Sequence, residues 1–216
     1  MLERMSDFFE VRLSGYDEHM LNDIESATEF YPYTASTLPS KSGASVLDLG
    51  CGTGLELEFY FALNPNAAVT GIDLSSGMLD EARKKLRGFN VDFIQDSYFN
   101  VELGLERYDA AVSVESLHHF TFDQKLPLYK NLNRALKRDG YFILTDYFAA
   151  SDEDEKRFRD EYLALMLEEN VKDEELYHFD TPLTIAHETK ILLLAGFSKV
   201  ETLKIWGNTA TIKASK

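Results

Sequence analysis

Nine residues constrain this chain more than any others: Val46-Leu47-Asp48-Leu49-Gly50-Cys51-Gly52-Thr53-Gly54, a short apolar run that breaks into glycine at every second position. An apolar run of this length, closed by a turn signal, reads as a buried strand. Glycine after it serves two purposes. It permits positive φ in a tight turn, and its missing side chain lets a ligand lie against bare backbone at the start of the next helix.

The rest of the chain repeats that strand-then-helix order. A polar, helical opening extends to about residue 38, and Ala44 to Leu49 forms the first strand. A helix follows from Leu55 to about Leu63, then a strand from Ala68 to Asp73, a helix capped by Ser75-Ser76 and ending near Gly88, and a strand from Val91 to Gln95. Tyr108 to Val114 is the fourth strand. A helix from about Asp123 to Lys137 and the turn Arg138-Asp139-Gly140 lead to the fifth, Tyr141 to Tyr147. Strands alternating with helices imply parallel neighbours joined by right-handed crossovers, with helices on both sheet faces. The end departs from this: a helix begins at Thr181-Pro182 and stops at Gly196. The strands Lys199 to Trp206 and Asn208 to Ala214 are then joined so tightly that they must form an antiparallel hairpin. The expected fold is α/β, a doubly wound, Rossmann-like, seven-stranded sheet ending in an antiparallel β-hairpin. Residues 1–40 and 148–181 fit no core element and read as helical covers. They flank a core of residues 41–147 that is completed by residues 182–216.

Charge and composition narrow the partners. With 22 basic against 37 acidic side chains the chain carries −15, which forfeits the counterion release that drives non-specific nucleic-acid binding. No nucleic acid and no membrane partner is expected. The single cysteine, Cys51, forms no internal disulfide, and no Cys/His spacing resembles a zinc site, so no metal is expected. The opening residues lack a signal-type apolar core, which points to the cytoplasm.

The residues around the bend favour one ligand chemistry over another. The dinucleotide fingerprint G-x-G-x-x-G, counted from Gly50, requires glycine or alanine where this chain has Leu55, which weakens a nicotinamide oxidoreductase reading. Asp48, two residues before the first glycine, suits a positive ligand group better than a diphosphate. Asp73 ends the second strand at the spacing where an acidic residue accepts ribose hydroxyls, and Asp96, ending the third, is placed to accept from an adenine amino group.

From about residue 40 to the end, these motifs together resemble those of the class I S-adenosylmethionine-dependent methyltransferases. Residues 46–54 are similar to that family's first motif, Gly71-Ile72-Asp73-Leu74-Ser75 to its ribose-binding acidic loop, and Asp96-Ser97 to its adenine-contacting position. Tyr108 to His119 resembles its fourth-strand motif, Leu136 to Phe142 the turn before its fifth strand, and the hairpin its antiparallel seventh strand. The resemblance implies that the turn of Gly50, Cys51, Gly52 and Gly54 holds the methionine part of S-adenosylmethionine. It further implies that Leu74 and Met78 flank the adenine and that Glu115 lies near the methionine end.

Three functions remain open at this level. The first is methyl transfer to a small-molecule acceptor, with His118, His119 or Asp146 as base candidates on the ligand-binding rim. The second is modification of S-adenosylmethionine itself, which would need an arginine, Arg12 or Arg157, inside the site. The third is a non-catalytic cofactor-binding module. Glu115-Ser116-Leu117-His118 stands where methyltransferases of nucleobase amino groups carry an Asn/Asp-Pro-Pro-aromatic run, which disfavours a nucleobase acceptor. Oligomeric state is not defined by the sequence, and a homodimer is compatible with it.

Overall fold

The apolar run before the glycine bend becomes an interior strand because apolar strands flank it on both sides. The computed structural model describes residues 2–171 and 175–216. The chain begins with β1 (Glu3–Arg4), α1 (Met5–Val11), α2 (Tyr16–Asp23) and α3 (Ala27–Thr37). The parallel part of the sheet follows, with β2 (Ser45–Leu49), α4 (Leu55–Leu63), β3 (Ala68–Asp73), α5 (Ser76–Lys85), β4 (Asn90–Gln95) and β5 (Tyr108–Val114). After a 3-10 turn at Leu117–His119 come α6 (Phe122–Ala135) and β6 (Leu136–Tyr147). The chain ends with α7 (Asp152–Glu168), β7 (Tyr177–His178), α8 (Ile185–Leu194), β8 (Lys199–Trp206) and β9 (Thr209–Ser215).

Seven strands form one sheet in the order β4-β3-β2-β5-β6-β9-β8, and β1 pairs with β7 in a separate two-stranded ribbon. The pairs from β4 through β6 are parallel, whereas β6–β9 and β8–β9 are antiparallel. Side chains alternate faces as a strand requires. Val46, Ala110, Val112 and Ile143 pack on one face with Phe30, Leu57 and Phe61 of α3 and α4. Leu47, Leu49, Ala111, Phe142 and Leu144 pack on the other with Leu128, Leu132 and Ile191 of α6 and α8. The order runs outward in opposite directions from β2 and β5, so the crevice between their carboxyl ends is the switch point where open α/β sheets take ligands.

Two boundaries differ from the sequence reading. The helix expected to reach Lys137 ends at Ala135, and the expected turn is absorbed into β6. Pairing with β5 passes from Tyr108↔Leu136 to Ala110↔Tyr141, so Arg138-Asp139-Gly140 bulge from the strand. The last helix begins at Ile185, not at Thr181-Pro182, because the preceding residues are held extended. Thr181 donates its N–H to the His118 carbonyl at 2.8 Å and Ala149 donates to the Leu183 carbonyl at 3.0 Å, leaving Thr184 to cap α8. Among the described residues no helix is long and apolar enough to cross a membrane.

Candidate active site

The bend after β2 is built as its glycines require. Gly50, Gly52 and Gly54 all have positive φ, at 76°, 48° and 73°. A Cβ at Gly50 would meet Ser116 Oγ at 2.2 Å, whereas over Gly52 the space is open to 4 Å. The bend therefore leans on the loop after β5 at its first glycine and offers bare backbone at its second. Asp73 clamps it from the next strand: one carboxylate oxygen accepts from Gly52 N–H at 2.9 Å and the other from Ser75 N–H at 2.8 Å. Burial raises the Asp73 carboxyl, and these backbone donors pull in the opposite direction.

A cavity of about 50 Å³ lies against this bend, with Gly50, Gly52, Asp73, Leu74 and Met78 on one side. Ser97 and Glu115 bound it, and Met5, Phe9 and Tyr16 of the N-terminal segment close it over. Glu115 itself is held at φ 48°, a conformation uncommon outside glycine. Its N–H is tied to the Thr145 carbonyl at 2.9 Å, and Thr209 Oγ1 donates to its carboxylate at 3.3 Å. Burial and the neighbouring Asp146 raise its carboxyl to about 8.

Four of the residues expected to hold the cofactor lie off this cavity. Asp48 is fully buried beneath the bend, where among the described residues it meets no backbone donor. Desolvation, together with the buried Glu56 carboxyl of α4, pushes Asp48 well up. Cys51 packs against Gly71, and Gly54 makes room for Leu86. Asp96 is exposed and accepts from the N–H of Ser97 at 2.7 Å.

Past Phe9, Tyr16 and Glu115 the small cavity adjoins a chamber of about 690 Å³. The 3-10 turn after β5 delivers His118 and His119 to its wall, where they meet His178 and Asp180 from the segment after α7. Asp146 is buried and accepts from Leu117 N–H at 2.9 Å, Tyr147 N–H at 3.0 Å and His118 Nδ1 at 2.5 Å. Burial alone would lower the His118 imidazole, but Asp146, with Glu115 and Asp180, raises it to about 9. Burial and the charge of His118 lower His119, and burial lowers His178 to about 4. Burial would raise Asp180, yet the surrounding imidazoles bring it to about 2.

The structure thus gathers His118, His119 and Asp146 near Tyr16 of the N-terminal cover, a residue the sequence also offers, and adds His178 and Asp180. The sequence signal for the additions was slight. His178-Phe179-Asp180 stands just before Thr181-Pro182 without a spacing that marks it. Of Arg12 and Arg157, Arg12 lines the chamber. Arg157 pairs with Asp154 and Glu161 on α7.

A glycine bend at the switch point, an acidic clamp on the adjacent strand and an antiparallel terminal hairpin define a nucleoside-binding α/β enzyme fold. Comparison with known proteins narrows the class. The family described as "Methyltransferase domain" matches residues 46–140. The chain is 32% identical, over 99% of its length and 92% of the relative's, to a carboxy-S-adenosyl-L-methionine synthase of Wolinella succinogenes. It is 31% identical to a malonyl-[acyl-carrier protein] O-methyltransferase of Acetivibrio thermocellus over 51% of this chain and 38% of that one. A structure of a candidate O-methyltransferase from Nostoc punctiforme has the same fold, with a TM-score of 0.74 and 21% identity, over 99% of this chain and 62% of that one. The chain belongs to the class I S-adenosylmethionine-dependent methyltransferase family and uses S-adenosylmethionine.

Proposed function

We propose that the chain transfers a methyl group from S-adenosylmethionine to a small-molecule acceptor held in the chamber beyond Glu115. The supporting observation is the shared wall: Phe9, Tyr16 and Glu115 border both the cavity at the glycine bend and the chamber. A chamber of about 690 Å³ has the size of a small-molecule site.

The residues at the bend fit the cofactor, since Gly52 leaves open space above its backbone and Asp73 lies at the cavity wall. Asp73 holds the ribose hydroxyls, Leu74 and Met78 flank the adenine with Ser97 beside them, and Gly50 and Gly52 lie along the methionine part. When bound, S-adenosylmethionine supplies an electrophilic methyl group on a positively charged sulfur. The protein's task is alignment and exclusion of water. Phe9 and Tyr16 close the cavity over, and Glu115 places a carboxyl at the junction. Asp146 fixes the His118 ring through Nδ1 and leaves Nε2 as the atom turned toward Asp180, 3.6 Å away. His118 and His119 line the chamber wall and orient the acceptor there.

A second reading, modification of S-adenosylmethionine itself, rests on two observations. The Wolinella relative matches along the whole chain. Arg12 stands in the chamber wall, its guanidinium 3.6 Å above the Phe8 ring and paired with Glu3 at 3.2 Å. Mass spectrometry of reactions with S-adenosylmethionine and a panel of hydroxyl, amine and carboxylate acceptors separates the two. Acceptors heavier by one methylene, with S-adenosylhomocysteine released, support methyl transfer. A heavier sulfonium nucleoside with no methylated acceptor supports the second reading.

A further inference from the structure

The chamber wall holds a group of side chains that methyl transfer alone leaves unexplained. We propose that His118 Nε2, His119 Nδ1 and Asp180 Oδ1 bind one divalent first-row transition ion. The proposal does not depend on which acceptor the enzyme uses.

Three observations carry it. The first is spacing: Asp180 Oδ1 lies 3.1 Å from His119 Nδ1 and 3.6 Å from His118 Nε2, and the three atoms lie within 4.8 Å of one another. Ligands about 2.0–2.1 Å from a tetrahedral ion stand about 3.3–3.4 Å apart, and the two measured edges bracket that value.

The second is an orphaned atom. Among the described residues, His119 Nδ1 is buried and its one polar neighbour is the Asp180 carboxylate oxygen, 3.1 Å away and poorly aligned for a hydrogen bond. Two buried imidazoles therefore converge on one carboxylate oxygen, an arrangement natural around a shared cation.

The third is the support behind the ligands. A metal-binding histidine commonly donates its second nitrogen to a carboxylate, which fixes the ring and its tautomer. Asp146 does this for His118 at 2.5 Å, and its own oxygens are anchored by Leu117 and Tyr147 N–H groups. The hydrogen bond from Thr181 N–H to the His118 carbonyl fastens the segment carrying Asp180 to the turn carrying both histidines.

Two imidazoles and one carboxylate suit zinc, iron(II) or manganese better than calcium or magnesium, which prefer oxygen alone. The remaining positions of such an ion face the chamber. It would take an oxygen-bearing ligand there and lower the pKa of a hydroxyl bound to it.

A second group, Asp152, Glu155 and His187, offers an internal control. There the Glu155 carboxylate is already engaged by Thr184 N–H at 2.7 Å and His187 Nδ1 at 2.8 Å.

The test uses tag-free full-length protein, stripped with chelator and titrated with Zn²⁺ by calorimetry and with Co²⁺ by visible absorption. One equivalent of each should bind, Co²⁺ giving the ligand-field bands of nitrogen and oxygen coordination. Asp180→Ala and His119→Ala should each weaken Zn²⁺ binding at least tenfold. Asp146→Asn should weaken it about 10–100-fold. Glu155→Gln should leave it unchanged, and circular dichroism verifies that each variant is folded. The wild-type Co²⁺ spectrum decides the matter even if a variant fails to fold. Absence of stoichiometric binding overturns the proposal, as does binding lost only in Glu155→Gln.

Discussion

The wall we assign to the cofactor comes mostly from short contiguous stretches at strand ends, Gly50 to Gly52 and Asp73 to Met78. The chamber wall, which we assign to the acceptor, instead gathers Arg12, His118, His178 and Asp180 from three separate parts of the chain. The first depends on backbone geometry at two neighbouring strand ends, with Asp73 holding Gly52 across them. The second depends on pairing between distant segments: β1 with β7, and Thr181 with the turn at His118. A substitution on the cofactor side should act locally, through one bend or one clamp. Disturbance of the acceptor side should propagate, because no single stretch holds its residues in place.

The strongest test of that contrast is Glu188→Ala. Beneath the acceptor side, α6 follows the His118–His119 turn and α8 follows Asp180. They are joined by buried Lys125, which donates to Glu188 at 2.7 Å, and by the Tyr129 hydroxyl, which donates to the same carboxylate. Removing Glu188 strands a lysine that is only 2% exposed. A loss of about 3–5 kcal/mol in unfolding free energy is expected by urea denaturation. The residual folded protein should still bind S-adenosylhomocysteine, and loss of that binding in step with acceptor turnover would erase the distinction between the two sides.

Next in size is Gly50→Ala. The new methyl would sit 2.2 Å from Ser116 Oγ at a φ of 76°. Left-handed backbone for alanine and forced repacking together are expected to cost about 2–4 kcal/mol. Urea denaturation and cofactor calorimetry should both register it, and a variant with wild-type affinity and stability would show that the bend does not need a bare first glycine.

The contrast also explains what was legible in advance. The bend, Asp73 and the parallel order could be read because apolar runs, glycine spacing and helix caps are local signals. So could the hairpin, since Gly207 leaves no length for a crossover. The bulge at Arg138 to Gly140 looks like a turn in the sequence because a bulge and a turn share the same local residues, and only pairing with β5 separates them. Pro182 is a helix-start signal, yet the hydrogen bonds of Thr181 and Leu183 to remote segments delay the helix to Ile185. Asp180 carries no spacing that links it to His118, so the cluster they form exists only once β7 is placed. Asp48 and Asp96 show the converse. A strand-end carboxylate can turn inward beneath the bend or outward to cap its own loop, and the local sequence is the same for both.

On the cofactor side, Asp73→Ala should weaken S-adenosylmethionine binding by about 1–3 kcal/mol through loss of hydrogen bonds to a charged acceptor. The same substitution frees the N–H groups of Gly52 and Ser75. Calorimetry measures the first effect and a thermal melt the second. Unchanged affinity would mean that the ribose lies elsewhere.

The smallest expected effect falls where the two sides meet. Glu10, on α1, accepts from Ser75 Oγ at 2.7 Å and from Gly77 N–H at 3.3 Å, placing a carboxylate at the N-terminus of α5. That contact latches the segment carrying Phe9 over a cavity of only about 50 Å³, too small for a nucleoside without movement of the cover. Glu10→Ala removes the latch but leaves the bend, Asp73 and the chamber histidines in place. S-adenosylhomocysteine should then dissociate about 2- to 10-fold faster in stopped-flow measurements, the range set by one or two hydrogen bonds of ordinary net strength. An accelerated off-rate at unchanged stability would assign the N-terminal segment to cofactor capture. An unchanged off-rate would place its role with the acceptor, through the β1–β7 ribbon that brings His178 to the chamber wall.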